Sequence, residues 1–312
     1  MNLRKLLFVL LLLPIVSVAQ KEVLFFSYFK GNGEDGLHLA CSEDGYKWNT
    51  LKDDKSFLKP VVGESVLMRD PCVIYGPDKR FHMVWTPGWN EKGIGYASSK
   101  DLINWSEQIY IPVMKHEENA LNCWAPEIVY DDVKKQYMIF WSTTISDQFL
   151  ETKGSGGNKY NHRMYSITTK DFKTFSETKL FYDHGFNVID GSILKLKKDK
   201  YVMFLKDETK LPKAQKNIRW ATATDIEGPY TKPSEPITGN YWAEGPTCLK
   251  FNGKYIVFFD KYRKKSMGAV ESTDLKNWKD ISDKISFTGG VRHGTVFKVP
   301  AKIAKKILKK YK

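Results

Sequence analysis

The chain has 312 residues, 14% of them aromatic and 42% hydrophobic, with a formal net charge of +13. That composition excludes a disordered chain, and the length allows one large domain with a real core. A nucleic-acid surface is excluded too. Two of the positive charges lie in residues 1–19 and seven in the lysines of residues 298–312, which leaves +4 for the body.

At the start, Arg4 and Lys5 precede the apolar run Leu6 to Val16, and Ser17-Val18-Ala19 supplies small residues before Gln20. This pattern predicts a secretory signal peptide over residues 1–19 and a secreted or periplasmic product. The alternative is an uncleaved anchor, although the run is short for a bilayer. No cysteine follows the cleavage point, which argues against a lipid anchor, and no later segment is apolar enough for a membrane span.

The body repeats one plan. A short strand leads into Ser or Thr, then Asp, then an aromatic residue. The aspartates are Asp44, Asp101, Asp171, Asp225 and Asp274, spaced 57, 70, 54 and 49 residues apart. Such periods with repeated strands imply a radial or solenoid array. The turn aspartates are expected to bond local backbone, and the recurrent Trp48, Trp105 and Trp278 to pack between units. In the second unit the runs Asp70–Tyr75, Arg80–Thr86, Gly93–Ser98 and Gln108–Ile111 follow one another across tight turns, an antiparallel meander of four strands. Residues 127–130 with 136–141, 192–196 with 201–205, and 247–251 with 254–259 repeat the pairing.

One unit is divided between the termini. Thr295–Lys298 reads as a first strand with no successor, whereas Val23–Tyr28 and Leu37–Cys41 read as second and third strands with no first. Joining them closes a ring and removes two sheet edges. The expected fold is therefore all-β, a single five-bladed β-propeller over residues 20–300. Residues 301–312 add a basic C-terminal helix, with Ile303, Ile307 and Leu308 on one face. Cys41, Cys72, Cys123 and Cys248 match neither a zinc pattern nor a dense disulfide scaffold and read as buried thiols, with one disulfide left open.

In a propeller the first strand of each blade lines the axis, so the residues leading into those strands become neighbours. Here they are Arg69-Asp70-Pro71, Trp124-Ala125-Pro126-Glu127, Ile189-Asp190-Gly191-Ser192, Ala243-Glu244-Gly245-Pro246 and Arg292-His293-Gly294. Four carry an acid and the fifth a His beside an Arg. Acids gathered on one axis repel each other, so a fold that keeps them has a use for them.

These ordered motifs resemble those of glycoside hydrolase family 43, once per blade across essentially the whole mature chain. The resemblance implies a five-bladed propeller that hydrolyses α-L-arabinofuranosides or β-xylosides with inversion. It also implies roles: Asp70 as general base, Glu244 as general acid, and Asp190 as the group that orients Glu244 and raises its pKa. Glu127 either binds substrate or holds the channel together. Trp124 and Trp242, near axis acids, suit sugar faces, as do Trp89 and Trp85. Arg292 lines the channel as a substrate contact. His293 sits near a channel cation or bonds to an acid. No cofactor is required by this reading, and a Ca²⁺ or Na⁺ in the central channel is consistent with the resemblance. The loop Glu151–Lys159 is a candidate rim. The expected partner is an oligo- or polysaccharide, with no nucleic acid, and the protein is expected to be a monomer.

The chain departs from the family in two ways. About fifty residues precede the proposed base, which the divided blade explains, and there is no room for an appended β-sandwich, which tilts the reading toward arabinofuranosidase activity. Alternatives are a non-catalytic glycan-binding propeller, or a fructan- or galactan-directed glycosidase. A fructan enzyme would want an Asn-Asp-Pro-Asn motif, and a sialidase an arginine triad.

Overall fold

The computed structural model describes residues 22–312; the expected signal peptide lies outside the described residues. Among the described residues twenty strands form five sheets, antiparallel throughout except where β19 pairs parallel with β3. The N-terminal strands are β1 (Val23–Tyr28), β2 (His38–Ser42) and β3 (Lys47–Thr50). The next blade is β4 (Arg69–Tyr75), β5 (Phe81–Thr86), β6 (Ile94–Ser99) and β7 (Ile109–Ile111). It is followed by β8 (Trp124–Asp131), β9 (Gln136–Thr143), β10 (Arg163–Thr169) and β11 (Lys179–Tyr182). The third blade is β12 (Val188–Lys197), β13 (Lys200–Asp207) and β14 (Asn217–Ala223). The fourth is β15 (Glu244–Phe251), β16 (Lys254–Lys261), β17 (Ser266–Ser272) and β18 (Lys279–Asp280). Then come β19 (Ser286–Phe287), β20 (Gly294–Val299) and the helix α1 (Ala301–Tyr311).

The ring closes as the divided repeat requires. β20 pairs antiparallel with β1, with Phe26 opposite Val296, so the closing sheet runs β20-β1-β2-β3 with β19 added outside β3. The innermost strands β4, β8, β12, β15 and β20 each touch the next around the axis, and β20 touches β4. This arrangement is a five-bladed β-propeller. Its core is divided in the same way, into five apolar clusters, one between each pair of neighbouring blades. The strands are apolar on both faces because each blade is covered on both sides, and each fully buried large side chain contributes roughly 1.5–3 kcal/mol.

The repeated turns also behave as their residues dictate. Asp101 Oδ1 accepts the backbone N–H of Ile103 and Asn104 at 2.9 and 2.8 Å, and Asp274 does the same for Lys276 and Asn277 at 2.8 Å each. The preceding Ser99 or Ser272 hydroxyl accepts a third N–H, from Leu102 or Leu275, at 2.9 Å. Trp48 is buried between blades, stacked on Phe287 at 5.5 Å. All four cysteines are free, and three of them are buried. The helix seats Ala304 and Ile307 in the cluster beside the closing blade and sets Tyr311 against Phe57, while its lysines face outward.

One blade departs from the four-strand plan. After β14 the chain runs beside that strand, bonding through Thr231, Ser234 and Ile237 N–H to the carbonyls of Thr222, Trp220 and Ile218. Pro233 and Pro236 between them have no N–H to donate, so no regular fourth strand forms. The third blade therefore has three strands.

Candidate active site

The site is built by one device used four times. β4, β8, β12 and β15 each carry a register shift near their start. At each shift one residue is left-handed: Asp70 (φ 51°), Ala125 (φ 46°), Asp190 (φ 56°) and Gly245 (φ 60°). Such a bulge turns a side chain that would otherwise lie in the pleat, and Asp tolerates the conformation better than most residues. Asp70 and Asp190 thus hold equivalent positions. Glu244 stands one residue earlier, and Glu127 two residues later. Only glycine fits at 245, because a Cβ there would lie 2.3 Å from Cγ of His293.

Asp70, Asp190 and Glu244 line a single cleft at this end of the channel, together with Arg69, Thr86, Trp89, Trp124, Lys206, Glu208, Arg292 and His293. Asp70 accepts a hydrogen bond from the Thr86 hydroxyl at 2.9 Å, and its other oxygen lies 3.3 Å from His293 Nδ1. Thr86 is itself oriented by the Ala125 N–H at 2.8 Å. Asp190 accepts the Gly245 N–H at 3.0 Å, which ties it to the peptide beside Glu244. Glu244 Oε2 receives Lys206 Nζ at 3.0 Å, and its Oε1 lies 3.7 Å from Arg292, which also bonds Asp260 at 3.1 Å.

The electrostatics follow from burial among these charges. Burial pushes Asp190 up to about 6, opposed by His293 and Lys206 and aided by Glu244 and Asp70. Burial pulls His293 down, but the carboxylates of Asp70, Asp190, Glu244 and Glu127 outweigh it and hold the imidazole above its ordinary value. Lys206 is likewise kept charged, against its burial, by Glu208, Glu244 and Asp190. The cleft thus interleaves buried acids and buried cations, and its floor can both give and take protons near neutral pH.

Other expected residues stand elsewhere. Trp89 and Trp124 line the cleft, edge to face at 5.5 Å, with Arg69 over Trp89 at 4.2 Å. The 151–159 loop leads into Tyr160, which packs on Trp124 at 4.5 Å. Trp242 lies outside the lining and packs on Tyr262, with Arg263 and Lys216 over its ring. Trp85 is fully buried in an inter-blade cluster and presents no face to a sugar. Glu127 sits one layer along the channel, where Cys72 Sγ and Thr295 Oγ1 approach it at 3.3 and 3.2 Å. It lines a different, larger cavity of about 500 Å³ at the opposite end, whereas the acid-lined cleft holds about 170 Å³. Among the described residues no group of three or more His, Cys, Asp or Glu side chains is arranged to hold a metal ion. His293, expected near a channel cation or bonded to an acid, lies 3.3 Å from Asp70.

A family model described as a probable glycosyl hydrolase domain, related to glycoside hydrolase family 43, matches residues 21–304. The chain belongs to this glycosyl hydrolase family. An α-L-arabinofuranosidase of Bifidobacterium longum is 27% identical over 135 residues, which cover 39% of this chain and 12% of that one. The fold is shared with the GH43 BlXynB protein from Bacillus licheniformis, at TM-score 0.52 and 23% identity over 72% of this chain and 42% of that one. It is also shared with an exo-β-1,3-galactanase from Phanerochaete chrysosporium, at TM-score 0.55 and 13% identity over 73% and 53%. The chain thus spans about an eighth of the curated relative and about half of these two structures.

Within this family-43-related frame, the residues that sequence reading missed share one position. Thr86 ends β5, and Lys206 and Asp260 stand one residue before the ends of β13 and β16; the three lie directly opposite Arg69, Ile189 and Glu244. The signal was present: Lys206 and Asp260 are charged residues closing the apolar runs Tyr201–Leu205 and Tyr255–Phe259. A ladder that starts at the axis returns to it, so the second-strand residue paired with the start of the inner strand comes close to the site.

Proposed function

We propose that the protein is an exported, inverting glycosidase that cleaves α-L-arabinofuranosyl or β-xylosyl linkages in plant-type polysaccharides or their oligosaccharides. The observation that carries this reading is the gathering of Asp70, Asp190 and Glu244, from three blades, into one cleft beside two tryptophan rings. Family membership makes glycoside hydrolysis the reaction class. The N-terminal pattern supports export.

In this reading Asp70 takes a proton from water as the water oxygen bonds to the anomeric carbon. Glu244 gives its proton to the glycosidic oxygen as the bond from that oxygen to the anomeric carbon breaks. Thr86 and His293 hold Asp70 in place. Asp190 holds the Gly245 peptide and with it the backbone of Glu244. Inversion needs the two working carboxyl groups roughly 6.5–9.5 Å apart, with room for water between them. Trp89 and Trp124 offer faces to the sugar. No step requires a metal ion.

The test is a screen of the purified protein against nitrophenyl arabinofuranoside, xyloside and galactoside, with the first-formed anomer read by NMR. Release of arabinose or xylose with inverted configuration is expected. Retained configuration overturns the mechanism, release of galactose alone overturns the substrate, and inactivity on all three together with binding to glycans favours a non-catalytic propeller.

A further inference from the structure

The cleft contains a charged pair to which the reaction above gives no part. Lys206, at the end of β13, is only 1% exposed. Its Nζ lies 2.6 Å from Glu208 Oε2 and 3.0 Å from Glu244 Oε2. Glu208 follows Asp207 in the chain, lines the same cleft, and is held on its other oxygen by Lys216. Burying an ammonium costs several kcal/mol unless it is well paired. Structure alone would be served as well by an apolar side chain, and the ring of Tyr262, 4.8 Å from Nζ, already provides apolar packing.

A proton donor has a particular difficulty in this place. Glu244 must hold a proton until the leaving oxygen needs it, yet a cation at hydrogen-bond distance favours the ionised carboxylate. Glu208 opposes that effect, because it competes for the same ammonium at a shorter distance. We propose that Lys206, shared between Glu208 and Glu244, is a positioning residue that sets the pH above which Glu244 can no longer donate its proton. The inference rests on the reading of Glu244 as the proton donor. Other charged or titratable groups face the pair from every neighbouring element: Asp70 on β4, His162 before β10, Asp190 on β12, Lys216 before β14, Asp260 and Tyr262 at the end of β16, and Arg292 and His293 before β20. Each stays in place in the variants below, so differences between variants report the pair itself.

The experiment is the pH profile of kcat/KM from pH 4 to 9 on a glycoside with a poor leaving group, where protonation matters most. Lys206→Met removes the cation, and the alkaline limb should move up by about one pH unit. Glu208→Gln leaves the ammonium to Glu244 alone, and the limb should move down by a similar amount. Opposite shifts from two neighbouring substitutions are not what a merely structural pair would produce. Limbs that coincide with the parent, or that move together, overturn the proposal. Should Lys206→Met fail to fold by circular dichroism, the isosteric Glu208→Gln decides alone: a limb that does not fall overturns the idea. Glu244→Gln run beside them separates the two levels. If it keeps turning over this substrate, the assignment of Glu244 fails; if it is inactive while the limbs stay put, only the role of Lys206 fails.

Discussion

The two ends of the central channel are built from the same five strands, yet they differ in chemistry. At the start of the inner strands, left-handed bulge residues turn Asp70 and Asp190 into a cleft crowded with charge. Two residues on, the same strands present Cys72, Glu127, Ser192, Thr247 and Thr295 to the larger cavity at the other end. There the axial acid Glu127 is buried in contact with Cys72 and Thr295. Burial pushes Glu127 up to about 7, against the pull of His293 and its bonds to Cys72 and Thr295. One end keeps its acids in exchange with cations, and the other keeps its acid close to neutral. On the proposed function, the difference teaches that paired charge rather than volume marks the working site.

The largest expected effect tests the charged end. Asp70→Asn and Glu244→Gln should each lower kcat on a natural linkage by roughly 10²–10⁴ while circular dichroism stays unchanged. Glu244→Gly should be partly spared by a nitrophenyl leaving group, and Asp70→Asn should not. Equal sensitivity to the leaving group would mean that the two roles are wrongly divided.

Next in size is Gly245→Ala. The left-handed φ and the approach of His293 leave no space for a methyl group, so a stability loss of about 1–3 kcal/mol in urea titration is expected, with lost activity. A fully stable and active variant would show that the bulge does not hold the cleft together.

The opposite end is tested by Glu127→Gln, which should change kcat/KM less than about tenfold. Its signature is in stability. With the folded-state pKa raised from 4.5 to about 7, the native protein binds more protons than the unfolded chain between those values, so stability falls as pH rises through that window. Gln has no proton to lose. The variant should therefore gain on the parent by up to ~3 kcal/mol between pH 5 and 8 in urea titrations. A loss of turnover as large as that of Asp70→Asn would erase the distinction between the two ends.

The smallest effect is expected at Trp242→Ala. Because that ring lies outside the cleft lining, KM for a nitrophenyl monosaccharide should change less than about threefold. A larger change would move the boundary of the site outward.

Much of this was legible because it is local or periodic. Four of the turn aspartates bond N–H groups two and three residues away, and Asp225 the one two residues away, so each copy of the motif carries its own structure. The strands alternate with turns at a regular period, and the two incomplete units at the termini complement each other, which is why the split blade could be read directly. Pro126, Gly191 and Pro246 suggest inner strands that start just after them, whereas those strands begin three or four residues earlier than that, at Trp124, Val188 and Glu244. A left-handed residue inside a strand leaves no periodic trace, because Asp, Ala and Gly all occupy that position here. The missing fourth strand of the third blade was hidden for a related reason, since its prolines lie in a segment that still follows the neighbouring strand.

By itself the sequence determined the ring: five units, their closure through the termini, and the fact that acids from separate blades must meet at the axis. Those properties depend on repeat spacing and hydrophobic pattern, which are written along the chain. Only the tertiary structure decided which acids share a cleft. Glu127 is removed from it by two residues of strand, Lys206 is brought in by ladder pairing opposite Ile189, and Glu208 follows just beyond the same strand. The physical reason is that a one-residue bulge resets which way every later side chain points, and the charge around an acid depends on what the neighbouring strands then present to it.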